Sequence, residues 1–321
     1  MRRRQVLSLL SVLAVFPTNA IAQSKGIPKI GIVGSLGQST IDEFKDGLRE
    51  LGLVDGDTVV VLGDPASAAS PEAVSRTVSH FISQGIDVIF ASGAVAGKAA
   101  KNATSTIPIV CLTGDLVKAG LVQSLASPGG NVTGISILTA EASAKRLELL
   151  MQLVPALDRV AVFYNLDDPT APLSVKPTED AAAKLHVKLE VIGVHGESDF
   201  QGAVAAAISA NVQAIALTSN PLFDIAGQQI AELALQNKLA TVSFANSFPG
   251  VGGLLSYGPD IFAEYHHAAR FAARIIRGAR PQDLPVEQPT RYSLRINLKT
   301  AKALDIKVPD LVLASADEVI E

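Results

Sequence analysis

Small polar residues gather where a predicted strand ends and a predicted helix begins near the start of the mature chain. The apolar run Ile30–Val33 has the pattern of a buried parallel strand, and the small-residue loop 34–40 follows it. Thr40 and Glu43 have capping-box spacing and predict a helix from Thr40. The first N–H groups of a helix are unpaired and lie at the positive end of its dipole. The loop can therefore bind a small polar or anionic group.

Further polar loops follow the later predicted strands, and in open α/β sheets ligands bind at this edge. For any single loop, helix capping is the alternative, because Asp115, Ser219, Asn220 and Asp260 are also good cap residues. Together the loops predict one ligand cleft. They are 35–39, 92–94, 113–115, 165–168, 218–220, 244–246 and 257–260.

The residue types in these loops favour a ligand with a carboxylate, such as an amino acid or an aromatic or organic acid. Helix N-termini near the loops would hold the carboxylate. Asp115 or Asp260 could pair with an ammonium group, and Tyr257 offers a ring to an apolar tail. Because Trp is absent, a free sugar is not expected as the ligand.

Other chemistry finds little support. The segment Gly93–Lys98 has three residues between its glycines instead of the four of a phosphate-binding P-loop, and Ala99 replaces the hydroxyl residue. His266 and His267 are adjacent in a predicted helix and do not share a face. No nucleophile or metal motif is present, so we predict no catalytic residue, no metal and no cofactor. An exported hydrolase using Asp115, Asp167 or Asp260 is the weaker alternative.

Strands and helices alternate along the whole chain, which predicts an α/β fold with parallel sheets. Two near-equal series of elements indicate two lobes. Segments rich in Gly, Pro and Asn around 129–138, 245–256 and 280–292 are interpreted as three connections between them. The predicted boundaries are 23–135 with 246–283 for lobe 1, and 136–245 with 284–321 for lobe 2.

Residues 1–22 are interpreted as a signal peptide. Three arginines precede a short apolar segment, and Ala20-Ile21-Ala22 resembles a cleavage site. We therefore expect export to the periplasm and cleavage after Ala22. Without the leader, 24 basic residues stand against 31 acidic ones, a net charge of −7 that disfavours nucleic acid as a partner.

The segment 284–304 begins Leu-Pro-Val-Glu-Gln-Pro-Thr-Arg-Tyr and is the most specific motif of the chain. Shorter motifs lie at 106–110, 128–134, 256–258 and 316–320. By these segments the chain resembles the periplasmic substrate-binding proteins of ABC transporters, in particular those that bind tryptophan, tyrosine and aromatic compounds.

The resemblance implies a type I periplasmic-binding fold, in which two Rossmann-like lobes joined by three crossovers close over one small ligand. It also implies a monomer that delivers this ligand to an ABC permease in the inner membrane. A sensory module for a membrane receptor is the alternative. Ligand identity is not transferred, because Leu166-Asp-Asp and Ser219-Asn220-Pro221 depart from the family's usual residues. The candidate ligand-binding residues are Ser35, Leu36, Gly37, Ser92, Gly93, Ala94, Asp115, Asn165, Asp167, Ser219, Asn220, Phe244, Tyr257 and Asp260.

Overall fold

Two sheets organise the chain in a computed structural model that describes residues 26–34, 37–63, 70–137, 140–168 and 171–321. The first sheet is parallel throughout, with the strand order β2-β1-β3-β4-β5. Its central strands are buried on both faces, as their continuous apolar sequences predict. The strands are β1 (Lys29–Gly34), β2 (Val60–Gly63), β3 (Val88–Ser92), β4 (Ile109–Thr113) and β5 (Val132–Ser136).

The second sheet has the order β12-β11-β10-β9-β8-β6-β7. Its pairs are parallel except β10 with β11, which run antiparallel and bring the C-terminal residues back to this lobe. The strands are β6 (Arg159–Asn165), β7 (Lys188–Val194), β8 (Ala214–Leu217), β9 (Ala240–Ser243), β10 (Leu255–Pro259), β11 (Tyr292–Asn297) and β12 (Glu318–Ile320).

Helices cover the sheets and bury their apolar stripes against them. They are α1 (Gln38–Glu50), α2 (Pro71–Ser83), α3 (Ala94–Ala103), α4 (Ala140–Leu153), α5 (Ala171–Leu185), α6 (Phe200–Ser209), α7 (Pro221–Ile225), α8 (Gly227–Gln236), α9 (Ile261–Ile276), α10 (Leu298–Ala303) and α11 (Asp310–Ser315). None of the helices in the described ranges is both long and apolar enough to cross a membrane.

Helix α9 belongs to the first lobe although β10, directly before it, belongs to the second sheet. It packs against α1, where Gly47 lets the two backbones approach: a Cβ on Gly47 would lie 2.4 Å from the carbonyl oxygen of His266. Ala268, Ala269 and Ala272 are fully buried in the first-lobe core. Small residues on both helices therefore allow this close contact.

The chain passes between the lobes after β5, between β10 and α9, and before β11. The first and third passages lie side by side, because the amide of Glu287 donates to the Gly134 carbonyl and the Ser136 amide donates to the Glu287 carbonyl. The second passage differs from the predicted connection at 245–256. It lies near Asp260, so the segment 246–259 goes with the second sheet.

Two segments of irregular helical structure lie near the cleft. The segment 117–125 forms turns, because Gly120 has a positive φ of 71° and ends the first turn. Helices α7 and α8 follow each other closely and meet at Ala226.

Candidate ligand-binding site

A cavity of about 730 Å³ lies between the two lobes, at the carboxyl ends of β1, β3 and β4 on one side and of β6, β8 and β9 on the other. Its volume is in the range of pockets that bind small molecules. Most candidate residues line it, in agreement with the expectation that both rims face one cleft. These residues are Gly37, Ser92, Gly93, Ala94, Asp115, Asn165, Asp167, Ser219, Asn220 and Phe244. That they bind a ligand remains a prediction.

The other candidates lie elsewhere. Ser35 and Leu36 fall outside the described residues. Tyr257 is not part of the lining: its ring stacks on Tyr292 at 5.7 Å, within the second lobe. Asp260 is also outside the lining, and its carboxylate caps α9 by accepting from the amides of Phe262 and Ala263. The structure therefore supports the capping alternative for Asp260.

On the first-lobe side, the cavity wall presents uncharged hydroxyl groups. Ser92 Oγ and Tyr265 Oη are hydrogen-bonded at 2.5 Å, and both side chains are buried. Burial raises the pKa of Tyr265 to about 12. The ring of Phe90 contacts Tyr265 edge-on at 5.6 Å between centroids and holds it in place. At neutral pH this wall therefore offers neutral hydroxyl groups.

Helix ends on the same wall add backbone donors. Helix α3 begins after Gly93, whose φ of 91° suits glycine, and no side chain caps it. Ala94, Val95 and Ala96 of its first turn line the cavity. The positive end of this helix dipole thus faces the site.

The N-terminus of α1 differs from the prediction. The N-cap is Gly37, not Thr40, and no side chain caps the helix. Thr40 lies inside the first turn, where its hydroxyl donates to the Gly37 carbonyl at 2.8 Å. Both residues line the cavity, so α1 contributes a second uncapped helix end.

On the second-lobe side, amides and carboxylates form a network. Asn165 Nδ2 donates to Asn220 Oδ1 at 3.3 Å, and Asn220 Nδ2 donates to Asp168 Oδ2 at 3.0 Å. Asn220 also caps α7 by accepting from the Leu222 amide. Asp167 pairs with His195 at 2.9 Å in an exposed position, and this hydrogen bond raises the pKa of His195. These contacts connect the loops after β6 and β8 into one rim.

Asp224, on α7, was not among the candidates. Its carboxylate lines the cavity, and the surrounding protein raises its pKa to about 6 by desolvation. Tyr265 was also not predicted, because α9 lies far along the chain from β3 and no local pattern places it at this rim. The sequence signal for Asp224 is its position four residues after the Ser219–Asn220 loop, one helical turn beyond the strand end itself.

A buried cation, Arg146, lies close to Phe244 of the cavity lining. Arg146 on α4 donates to the Tyr257 carbonyl at 3.0 Å and to Ser143 Oγ at 3.0 Å, and its guanidinium lies 5.8 Å from the centre of the Phe244 ring. Burial lowers the pKa of Arg146 to about 10, so it stays charged at neutral pH. Phe244 lines the main cavity, whereas Arg146 lines a separate void of about 10 Å³. The Arg146 charge is therefore set back from the ligand site.

The lining supports recognition of a ligand by hydrogen bonds and charge. Within the described ranges, no group of three or more His, Cys, Asp or Glu side chains is placed to hold a metal ion. Hydroxyl groups and uncapped helix ends lie on the first lobe, and amide groups with three of the four carboxylates of the described lining lie on the second. A ligand that contacts both walls would therefore join the lobes.

Comparisons with known proteins agree with this architecture. The family model described as ABC transporter substrate binding protein matches residues 34–320. The tyrosine-binding protein of Clostridioides difficile is 28% identical over 295 residues, which cover 90% of this chain and 84% of that protein.

Solved structures are similar over most of the chain. A conserved domain protein from Vibrio cholerae has a TM-score of 0.85 at 26% identity, covering 91% of this chain and 99% of that one. A Streptococcus pneumoniae protein in complex with L-Trp has a TM-score of 0.84 at 24% identity, with the same coverage. A leucine-binding protein from Thermotoga maritima has a TM-score of 0.63 at 14% identity and covers 87% of each chain. The predicted α/β class and type I periplasmic-binding fold are confirmed.

Proposed function

Because the chain belongs to the family of ABC transporter substrate-binding proteins, we propose that it captures an amino acid, or an aromatic or organic acid, in the cleft between its lobes. It then delivers this ligand to an ABC permease in the inner membrane. The observation that carries the proposal is the cavity of about 730 Å³ lined by the strand ends of both sheets.

An amino acid is the first choice within this range. Two relatives are described by a tyrosine and a tryptophan ligand. The cavity combines apolar wall residues, among them Phe244, Leu173 and Leu222, with hydroxyl groups and helix N-termini that suit a carboxylate. One part of the cleft can therefore hold an apolar side chain and another a charged head group.

The proposal also covers the location and the oligomeric state of the protein. Residues 1–22 act as a signal peptide cleaved after Ala22, and the mature protein works in the periplasm as a monomer. Binding and release need no bond to be made or broken, so no catalytic activity is proposed. Residues 1–22 lie outside the described residues.

A ligand screen on the mature protein from Gln23 tests the proposal. After partial unfolding and dialysis to remove any bound ligand, thermal shift is measured with amino acids, aromatic acids and sugars. Free ligand at a hundred times its Kd should stabilise the protein by about 2.7 kcal/mol. Small-angle scattering should show compaction with the ligand that stabilises most. Failure of every solute to shift the transition would argue against a receptor role.

A further inference from the structure

The charged residues that line the cleft are all acidic. Asp115, Asp167, Asp168 and Asp224 face the cavity, and no Lys, Arg or His is found among the described residues of its lining. Arg146, a buried cation, contacts the Phe244 ring and lines a separate void. An anionic ligand would therefore enter a cleft whose own charges repel it.

Three of the four carboxylates are already engaged. Asp115 accepts from the amides of Val117 and Lys118 and lies 3.6 Å from the Lys118 ammonium. Asp167 pairs with His195. Asp168 accepts from Asn220. Their charges are at least partly balanced by the protein.

Asp224 differs from these three. No hydrogen bond or ion pair joins its carboxylate to any part of the chain that the structure describes. Asp224 is exposed toward the open cleft, yet the surrounding protein desolvates its carboxylate enough to raise its pKa, and no protein cation is among the causes of that shift. Asp224 and Tyr265 line the same cavity from different lobes, and the Asp224 charge contributes to the raised pKa of the Tyr265 hydroxyl.

We propose that Asp224 is the specificity-determining residue of the cleft and binds a positively charged nitrogen of the ligand. The inference rests on the proposed function and narrows it. The ligand is an α-amino acid or another amine-bearing solute, and carboxylic acids that lack an amine are rejected. The role expected for Asp115 or Asp260 thus passes to a residue on α7.

The position of Asp224 also determines how the ligand is oriented between the two lobes. The ammonium group lies against the second lobe, and the carboxylate lies against the uncapped end of α3 and the Ser92–Tyr265 hydroxyl pair of the first lobe. A zwitterion in this orientation satisfies both walls at once. Closure of the lobes then depends on the presence of both head groups.

Matched ligand pairs test the proposal. Each L-amino acid that stabilises the protein is compared by calorimetry with its des-amino acid, for example L-phenylalanine with 3-phenylpropanoate and L-leucine with 4-methylpentanoate. We expect the amine-bearing member to bind and the des-amino member to bind at least about tenfold more weakly. Asp224→Asn should weaken the amino acid by about ten- to a hundredfold and leave the des-amino acid unchanged or slightly better bound.

Asp310→Asn is the matched control. Asp310 also lies in the first turn of a short helix of the second lobe, but it is outside the cavity lining. This variant should bind as the wild type does. Wild-type affinity should also fall as the pH is lowered through about 6, where Asp224 becomes protonated, and Asp224→Asn should lose this dependence.

The outcomes separate the two proposals. Equal binding of both members of a pair, or unchanged amino-acid affinity in Asp224→Asn, overturns the role of Asp224 but leaves the receptor function standing. A receptor stabilised only by solutes without an amine has the same consequence. Absence of binding by every solute in the wider screen overturns both.

Discussion

The two walls of the cleft are built differently. On the first lobe, the polar groups are buried hydroxyls supported by aromatic rings: Tyr265 touches Phe90, and Phe90 stacks on Phe44 at 4.5 Å. On the second lobe they are carboxylates and amides on the loops after β6 and β8 and on α7, and Asp167 and Asp224 are exposed toward the open cleft. The first wall is therefore the more rigid and offers mainly neutral hydroxyls beside the carboxylate of Asp115, whereas the second carries most of the charge and responds to pH. The comparison indicates that the first lobe shapes the site and the second selects its charge.

The largest expected effect is a loss of stability when Phe90, the ring that supports Tyr265 in the first wall, is truncated. Phe90→Ala should destabilise the protein by about 3–5 kcal/mol, because Phe90 is fully buried in a central strand with little room to relax. Phe223→Ala is the second-lobe counterpart: Phe223 is equally buried but lies in the short helix α7, which can move toward the cavity it leaves. Phe223→Ala should therefore lower the free energy of unfolding by less than Phe90→Ala does. Urea denaturation of the two variants measures this difference. A greater loss for Phe223→Ala would contradict the idea that the first wall is the more rigid.

Glu264 on α9 is a buried carboxylate of the first lobe and lies outside the cavity lining. Its side chain is buried, one carboxylate oxygen has no hydrogen-bond partner among the described residues, and burial together with Asp260 and Glu287 raises its pKa to about 7. The folded state therefore binds more protons than the unfolded state between about pH 4.5 and 7, and stability falls as the pH rises through this window. Glu264→Gln should be more stable than the wild type at pH 8, by at most about 3 kcal/mol, and similar at pH 4.5. Thermal unfolding at the two pH values measures the difference, and a constant difference would show that Glu264 is not the titrating group.

Tyr265→Phe tests whether the hydroxyl pair of the first wall matters beyond the ring. The ring contacts with Phe90 stay, while the buried hydrogen bond between Ser92 Oγ and Tyr265 Oη is lost. We expect a loss of about 1–2 kcal/mol in the free energy of unfolding. If the ligand carboxylate uses this pair, its affinity should fall as well. If both stability and affinity stay unchanged, the Tyr265 hydroxyl contributes to neither, and only the ring matters.

The smallest effect belongs to the exposed pair on the second wall. Asp167→Asn removes the carboxylate that raises the pKa of His195, so this pKa should fall toward that of a free histidine. The thermal midpoint should stay the same, because both side chains are largely exposed and such pairs contribute little. NMR titration of His195 is the measurement. A clear drop in the thermal midpoint would show that the second wall is more tightly held than the comparison implies.

Much of the architecture follows from the sequence alone, because it depends on local patterns. Apolar runs bounded by Gly and Pro mark the buried strands, and residues after strand ends mark the rim, so the loops at Ser92, Asn165 and Asn220 could be placed before the structure was known. A helix start is also marked locally where a cap residue is present, as at Ser70, whose hydroxyl accepts from the Ala73 amide.

Only the tertiary structure decided which lobe each late element joins and which side chains meet in the cleft. Strand β10 pairs with β9 and β11, while α9 crosses to pack on α1 at Gly47, and this division depends on contacts between residues more than two hundred positions apart. The same packing brings Tyr265 to Ser92 and into the cavity that Asp224 also lines. Tyr257 and Asp260, equally plausible in the sequence, are held by a ring stack and a helix cap. Local spacing determines the elements, but the side chains that share a cavity are selected by long-range packing, which the order of residues along the chain does not display.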